Sequence, residues 1–314
     1  MIPAAARLDF SETAIADPVL AAKYRALKTR IRDLGQVLIG FSGGVDSTLL
    51  TAVARHVLGR QKVAACLALG PSLPERERAE AVALAELLQV ELKTYAATEF
   101  ENPAYVANGP DRCFHCKADL FLHLRAFAEA FGPTAPTDDP RDPSLDSKGR
   151  RPALLYGGNL DDTLDYRPGR QAAISHGALA PLAEAGMTKQ DVRALSRSIG
   201  LPTAEKPAQP CLSSRIPYGS AVTPAKLAAV EAGEAMLAAL GFREYRVRHY
   251  GETARIEVPA DQLGLLTAEA SSHLEEGLRG LGFSRMEIDP GGFKSGNLNR
   301  ALNPESRARF TGPA

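Results

Sequence analysis

The chain has no tryptophan, only 6% aromatic residues, four cysteines in 314 residues, and no net charge, with 37 Lys plus Arg against 37 Asp plus Glu. Each scarcity removes a class of function. Without net positive charge there is no long-range pull toward nucleic acid or an anionic membrane, so neither partner is expected. So few aromatics make a base-stacking surface unexpected. No apolar run reaches about 18 residues, so nothing reads as a membrane span. The first residues lack the basic start and apolar stretch of a signal peptide, which gives a cytoplasmic reading. Four cysteines are too few for a disulfide scaffold, and in a reducing compartment a cysteine cluster points to metal binding or catalysis. What is present is an ordinary apolar content of 45%, enough for a globular core. The length suits one large or two medium domains.

Buried-strand patterns over 37–41 and 63–69, and further strand patterns over 91–96 and 153–156, alternate with helix patterns over 47–58, 74–88 and 116–131. That order predicts an α/β domain with a parallel sheet and helices on both faces. The stretch 132–152, rich in Pro, Asp and Ser, reads as a surface insertion. Thr188 and Asp191 are spaced as a capping box for a helix ending at Gly200. The last third changes to an αββαβ order, with helices over 224–240 and 268–281 and strands over 244–250, 254–258 and 285–289. This predicts a small α+β unit. The expected division is an N-terminal extension (1–20), a nucleotide domain (21–205), a substrate domain (206–300) and a tail (301–314).

The sharpest local feature is Ser42-Gly43-Gly44-Val45-Asp46-Ser47, set between a buried strand and a helix. Two glycines let the backbone approach an anion, and the amides at a helix N-terminus favour phosphate. Asp46 would repel phosphate unless a divalent cation such as magnesium bridges them. The Lys of a Walker loop is absent. The plainer alternative is a tight turn with Ser and Asp as helix caps. Gly157-Gly158-Asn159-Leu160-Asp161-Asp162 closes another parallel strand, at the sheet edge where α/β proteins bind ligands. Gly157, Asn159, Asp161 and Asp162 are therefore nucleotide-site candidates, with an ordinary helix cap as the plainer reading.

Cys113 and Cys116 form a lone CxxC, compatible with a zinc half-site, a redox pair or part of a cluster site. Cys211 lies between prolines beside Ser214 and Arg215. A nearby guanidinium would favour its thiolate. Three thiols can hold a 4Fe–4S cluster with one iron free; zinc, with His115 as a further ligand, is the competing metal. Cys66, within a strand pattern, reads as core. Arg246 and Arg248 are two apart in a strand and face one side, a pair suited to a phosphate plus a carboxylate, with Arg255 adjacent. A solvated sheet face is the plainer reading there, and a helix-surface carboxylate the plainer reading of Glu234.

The SGGVDS stretch resembles the PP-loop of ATP pyrophosphatases. Taken with RCFHCK, GGNLDD, DYRPG, CLSSRIPYG, VRHYG, TARIEVP and GFKSGNLN, the chain resembles the LarE family of ATP-dependent sulfur transferases over roughly 22–298. The resemblance implies an adenine nucleotide alpha hydrolase-like PP-loop domain that binds ATP and Mg2+ through Ser42, Gly43, Gly44, Val45, Asp46 and Ser47. It implies a small-molecule substrate, pyridinium-3,5-biscarboxylic acid mononucleotide, held by Ser214, Arg215, Arg246 and Arg248. The product is a thiocarboxylate on the way to the nickel-pincer nucleotide of lactate racemase, a functional link to the maturation proteins of that enzyme, and a homo-oligomer is implied. Single-cysteine members sacrifice the sulfur at the position of Cys211. Three-cysteine members instead suit a 4Fe–4S cluster, here on Cys113, Cys116 and Cys211. Competing readings are a PP-loop amidotransferase-type ligase, which needs no cysteines, and a non-catalytic nucleotide or cluster sensor.

Overall fold

A computed structural model describes residues 8–130, 151–163 and 167–293. Most of the expected 132–152 insertion, the tail at 301–314, Asp165 and Tyr166, and the end of the GFKSGNLN stretch lie outside the described residues.

The elements in chain order are α1 (Pro18–Leu34), β1 (Val37–Gly40), α2 (Val45–Leu58), β2 (Val63–Leu69), α3 (Glu75–Leu87), β3 (Glu91–Ala96), α4 (Pro103–Val106), α5 (Arg112–Ala130), β4 (Ala153–Tyr156), α6 (Pro168–Ser175), α7 (Pro181–Glu184), α8 (Lys189–Ile199), α9 (Pro224–Ala239), β5 (Arg246–Tyr250), β6 (Thr253–Glu257), α10 (Ala268–Gly280) and β7 (Arg285–Ile288). The first four strands form a parallel sheet in the order β3-β2-β1-β4. The central strands β1 and β2 are buried on both faces, as their unbroken apolar runs predict, while the edge strand β3 is largely exposed. Val37, Ile39, Val63 and Ala65 pack with α1, α2, α3 and α8 on one face. Leu38, Ala64 and Cys66 pack with α5 and α6 on the other. The chain runs outward from β1 to β3, then returns to place β4 on the opposite side of β1. That reversal opens a crevice at the carboxyl ends of β1 and β4. Gly40 lies opposite Tyr156, so the Ser42 loop and the Gly157 loop leave the sheet side by side.

Two helices differ from the sequence expectation. The extension expected over 1–20 runs into a helix, because Asp17 caps α1 through the Val19 amide. Leu20, Tyr24, Leu27 and Ile31 then recur on one helical face and are buried. The helix expected from 116 starts at Arg112, so the CxxC lies within its first turns and its cysteines are one turn apart on one side. Cys113, Phe114 and His115 have weak helix propensity, which hid this start. The Thr188–Asp191 capping box is present.

The second sheet has the order β5-β6-β7. β5 and β6 form an antiparallel hairpin, and β6 pairs in parallel with β7 after α10. Val247, Ala254 and Ile256 point to a core shared with Leu237, Leu274 and Leu278 of α9 and α10. The opposite face carries Arg246, Arg248 and Glu257, and all three are buried. The plainer reading of a solvated sheet face does not hold for them, because the Cys211 segment covers that face.

Candidate active site

The Ser42–Ser47 loop is folded back on itself. The Ser42 amide and hydroxyl meet the Ser47 hydroxyl at 3.3 and 3.2 Å, and Ser47 also donates to the Gly44 carbonyl at 3.2 Å. Gly43 is in the left-handed region at φ +68°, and a Cβ there would come within 3.1 Å of Ala81. Gly157 answers it from β4: a Cβ on Gly157 would stand 2.8 Å from the Ser47 amide nitrogen. Both glycines are therefore required by close backbone approach. With no acid at the entry of α2 other than Asp46, its first amides form an anion-binding end.

Both carboxylate oxygens of Asp46 are engaged. Asn159 donates to one at 3.0 Å and the Lys189 ammonium donates to the other. Asp161 accepts from the Lys189 amide at 2.8 Å, and Asp162 accepts from the Asn159 amide at 3.0 Å and pairs with Arg167 at 3.1 Å. The GGNLDD stretch thus orients Asn159 and Lys189 toward the loop. For Asp46 to take a magnesium ion, the Lys189 contact has to open. Lys206 also reaches the loop, donating to the Gly43 carbonyl at 3.2 Å. Neither lysine was singled out from the sequence. Lys189 follows the capping residue Thr188 at a helix start, a signal of proximity to β4 at most, and Lys206 lies in an irregular stretch with no periodicity.

The three cysteines come from two places. Cys113 and Cys116 sit on α5, and Cys211 precedes a short 3-10 turn, Leu212–Arg215. Arg112, beside Cys113, donates to the Ser213 carbonyl two residues from Cys211, so the start of α5 meets the Cys211 segment and forms the thiol recess with it. Desolvation raises the thiols of Cys113 and Cys116, and negative charge at Cys211 would raise both further. Cys113 is exposed, and Cys116 and Cys211 are partly exposed. His115 does not join them, since its ring nitrogens meet Asn102 at 3.4 Å and Asp111 at 3.3 Å. Among the described residues no three acidic, imidazole or thiol groups stand close enough to hold one metal ion. The donor chemistry of three thiols fits a 4Fe–4S cluster, which spreads its ligands over several irons. Cys66 is fully buried, and burial pushes its thiol up to about 12, in line with a core role.

The Cys211 segment is bolted to both halves. Toward the first, the Leu212 amide donates to the Ser72 carbonyl at 2.9 Å, and the Tyr105 and Ser213 hydroxyls meet at 2.7 Å. Asn108 donates to the Ile216, Pro217 and Ser220 carbonyls, and Arg112 to the Ser213 carbonyl at 2.8 Å. Toward the second, Arg215 is 1% exposed and makes a two-pronged pair with Glu234 at 2.8 and 2.9 Å. Glu234 is therefore a buried partner, not a helix-surface carboxylate. It also neutralises the guanidinium expected to assist Cys211. Arg248 pairs with Glu257 at 2.9 Å and donates to the Ser214 carbonyl at 2.7 Å. Arg246 meets only the Tyr245 and Ala208 carbonyls and the Phe293 ring among the described residues. Burial and the neighbouring Arg215 lower its pKa to about 10. Arg255 lies opposite Arg248 but pairs outward with Glu287 at 3.3 Å.

Among the described residues no helix is long and apolar enough to cross a membrane. Residues 21–106 match the family described as NAD synthase. An uncharacterized protein of Synechocystis sp. is 39% identical over 90% of this chain and 99% of its own length. The pyridinium-3,5-bisthiocarboxylic acid mononucleotide synthase of Lactiplantibacillus plantarum is 34% identical over 93% of this chain and 99% of its own. An uncharacterized protein of Methanocaldococcus jannaschii is 23% identical over 72% of this chain and 79% of its own. The parallel sheet and its glycine loop accordingly form an ATP-using PP-loop domain. With end-to-end similarity to the Lactiplantibacillus synthase, the chain belongs to the LarE family of ATP-dependent sulfurtransferases.

Proposed function

We propose that the protein adenylates a ring carboxylate of pyridinium-3,5-biscarboxylic acid mononucleotide and converts it to a thiocarboxylate for the nickel-pincer nucleotide of lactate racemase. A carboxylate oxygen attacks the α-phosphorus of ATP, and pyrophosphate leaves toward the Ser42–Ser47 amides and Lys189. A sulfur nucleophile then adds to the adenylated carbon, and AMP departs. The loop contributes charge neutralisation and alignment, the two effects phosphoryl-type transfer draws on most. Arg246, the buried guanidinium without a carboxylate partner among the described residues, is the strongest candidate for the substrate phosphate, with Arg248 and Ser214 beside it. A 4Fe–4S cluster held by Cys113, Cys116 and Cys211 would supply sulfide at this site.

What supports this reading most is that the Cys211 segment itself covers the arginine face of the second sheet. Thiol and anion-recognising groups then share one location, which a ligase using ammonia would not need. The test is a pair of assays on the native enzyme and Cys211→Ala with ATP, Mg2+ and the pyridinium substrate. Cys211→Ala is expected to release pyrophosphate at near-native rate and to form no thiocarboxylate. Thiocarboxylate formation by Cys211→Ala would sink the proposal. Anaerobic iron and sulfide analysis decides the sulfur source: iron-free protein that loses the Cys211 sulfur once per turnover assigns a sacrificial cysteine in place of the cluster.

A further inference from the structure

Lys206 lies five residues before Cys211 in the same irregular segment. Its ammonium is mostly buried and has three acceptors for its three N–H bonds: Glu77 at 2.7 Å, Glu80 at 2.9 Å and the Gly43 carbonyl at 3.2 Å. Glu77 and Glu80 are three apart on α3 and so share a helix face. Elsewhere along this segment, apart from the Arg197 pair with the Glu205 carboxylate at 2.6 Å, the ties from other elements run to main-chain carbonyls. Arg193 holds those of Ala204 and Lys206, Arg246 that of Ala208, and Arg215 that of Pro210. Among the described residues, Lys206 is the one side chain of this segment hydrogen-bonded to the Ser42–Ser47 loop.

The contact falls at a sensitive atom. The Gly43 carbonyl and the Gly44 N–H belong to one planar peptide group. A cation on the oxygen polarises that group and makes its N–H a better donor to an anion, because linked hydrogen bonds strengthen one another. The converse also holds: an anion at the Gly44 amide strengthens the carbonyl's hold on Lys206. An open cleft of about 570 Å³ adjoins the segment, lined by Glu77, Glu80, Lys206, Gln209, Arg243 and Tyr245. The segment therefore has space into which to shift.

We propose that Lys206 is a positioning residue that couples occupancy of the Ser42–Ser47 loop to the placement of Cys211. The proposal rests on the nucleotide-site reading above and deepens it. ATP at the loop would tighten the Lys206 contact and settle the Cys211 segment for sulfur transfer. By reciprocity, a settled segment would favour ATP.

The test is amide hydrogen exchange of the 204–217 segment in the full chain, with and without α,β-methylene-ATP and Mg2+. In the native protein the analogue is expected to slow exchange by about fivefold or more, the lower end of ordinary coupling between sites. Lys206→Met is expected to weaken analogue binding, because Glu77 and Glu80 lose their counter-charge, and to reduce the slowing below about twofold at saturation. Lys206→Arg should restore part of it. The triple variant Glu77→Gln, Glu80→Gln, Lys206→Met removes the repulsion, so it should bind the analogue yet remain uncoupled. It carries the test if Lys206→Met does not fold. Native-like slowing in either Lys206→Met variant would overturn the proposal, as would a native protein that binds the analogue without slowing. A native protein that does not bind the analogue would refute the nucleotide-site reading, and the coupling with it.

Discussion

The Asp46–Lys189 pair stands at the rim of the Ser42–Ser47 backbone cradle; beside Cys211, the Arg215–Glu234 pair is a buried frame. Asp46 and Lys189 retain 19% and 37% side-chain exposure, whereas Arg215 and Glu234 retain 1% and 11%. Exposed pairs exchange partners at little cost, because water screens both states. A buried pair cannot be opened without leaving a naked charge. In the proposed function, the Asp46–Lys189 pair at the loop is the one that can yield to phosphate or magnesium. The thiol recess is framed by buried pairs, and desolvation raises the thiols of Cys113 and Cys116. The two regions should respond differently when each is broken.

The largest effect is expected where the frame is buried. Glu234→Ala leaves the Arg215 guanidinium without its carboxylate and also removes an acceptor of the Val247 amide. Loss of one partner of a buried pair costs about 3–5 kcal/mol. Urea unfolding should show this, and Arg215→Met with Glu234→Leu should recover much of it, since a well-packed apolar pair avoids the desolvation cost. A loss below about 1 kcal/mol would mean the pair is no more than a surface contact.

A smaller effect, confined to the other region, is expected from Gly157→Ala. The new methyl would meet the Ser47 amide at 2.8 Å. Overpacking of this kind costs about 1–3 kcal/mol, and here the strain falls on the loop amides. Pyrophosphate release should drop by at least about tenfold, because positioning errors of an ångström carry large rate penalties. Alkylation of the three recess cysteines should be unchanged in the same variant. If both readouts move together, the two regions are not separable as described.

How much of this contrast could be read from the sequence follows the same line. The loop side was legible because its information is local: a strand, two glycines with a serine and an aspartate, and a helix, in consecutive positions. The capping box at Thr188 and the alternation of strands and helices that builds a parallel sheet were legible for the same reason. The frame of the thiol recess was not. Arg215 finds Glu234 nineteen residues away, Asn108 holds carbonyls more than a hundred residues away, and Lys206 reaches back to Gly43. Such pairs leave no period or spacing in the chain. The alternation of Arg246, Val247 and Arg248 correctly set the two faces of β5, but not what covers the polar one. Only the fold places the Cys211 segment there.

The smallest expected effect tests the boundary between the two regions, at Glu99. Its carboxylate is 3% exposed, accepts from the Ser72 hydroxyl at 2.5 Å, and lies against Tyr105 and Cys116. Ser72 and Tyr105 are the residues that hold Leu212 and Ser213, so Glu99 joins the nucleotide half to the Cys211 segment. Burial raises its pKa above the ordinary value of 4.5, with the nearby Asp119 adding to the rise and Ser72 opposing it. The folded state therefore keeps this proton more tightly than the unfolded chain. Its contribution to stability is fully present below pH 4.5 and is lost as pH rises through the raised folded value. Glu99→Gln keeps the shape and removes the titration. The melting temperature of the native protein minus that of Glu99→Gln should fall as pH rises from about 4 to neutrality. Other titrating carboxylates act on both proteins and cancel in the difference. Parallel melting curves would show that Glu99 ionises as readily inside as outside, and that the junction between the two regions is wetter than its burial indicates.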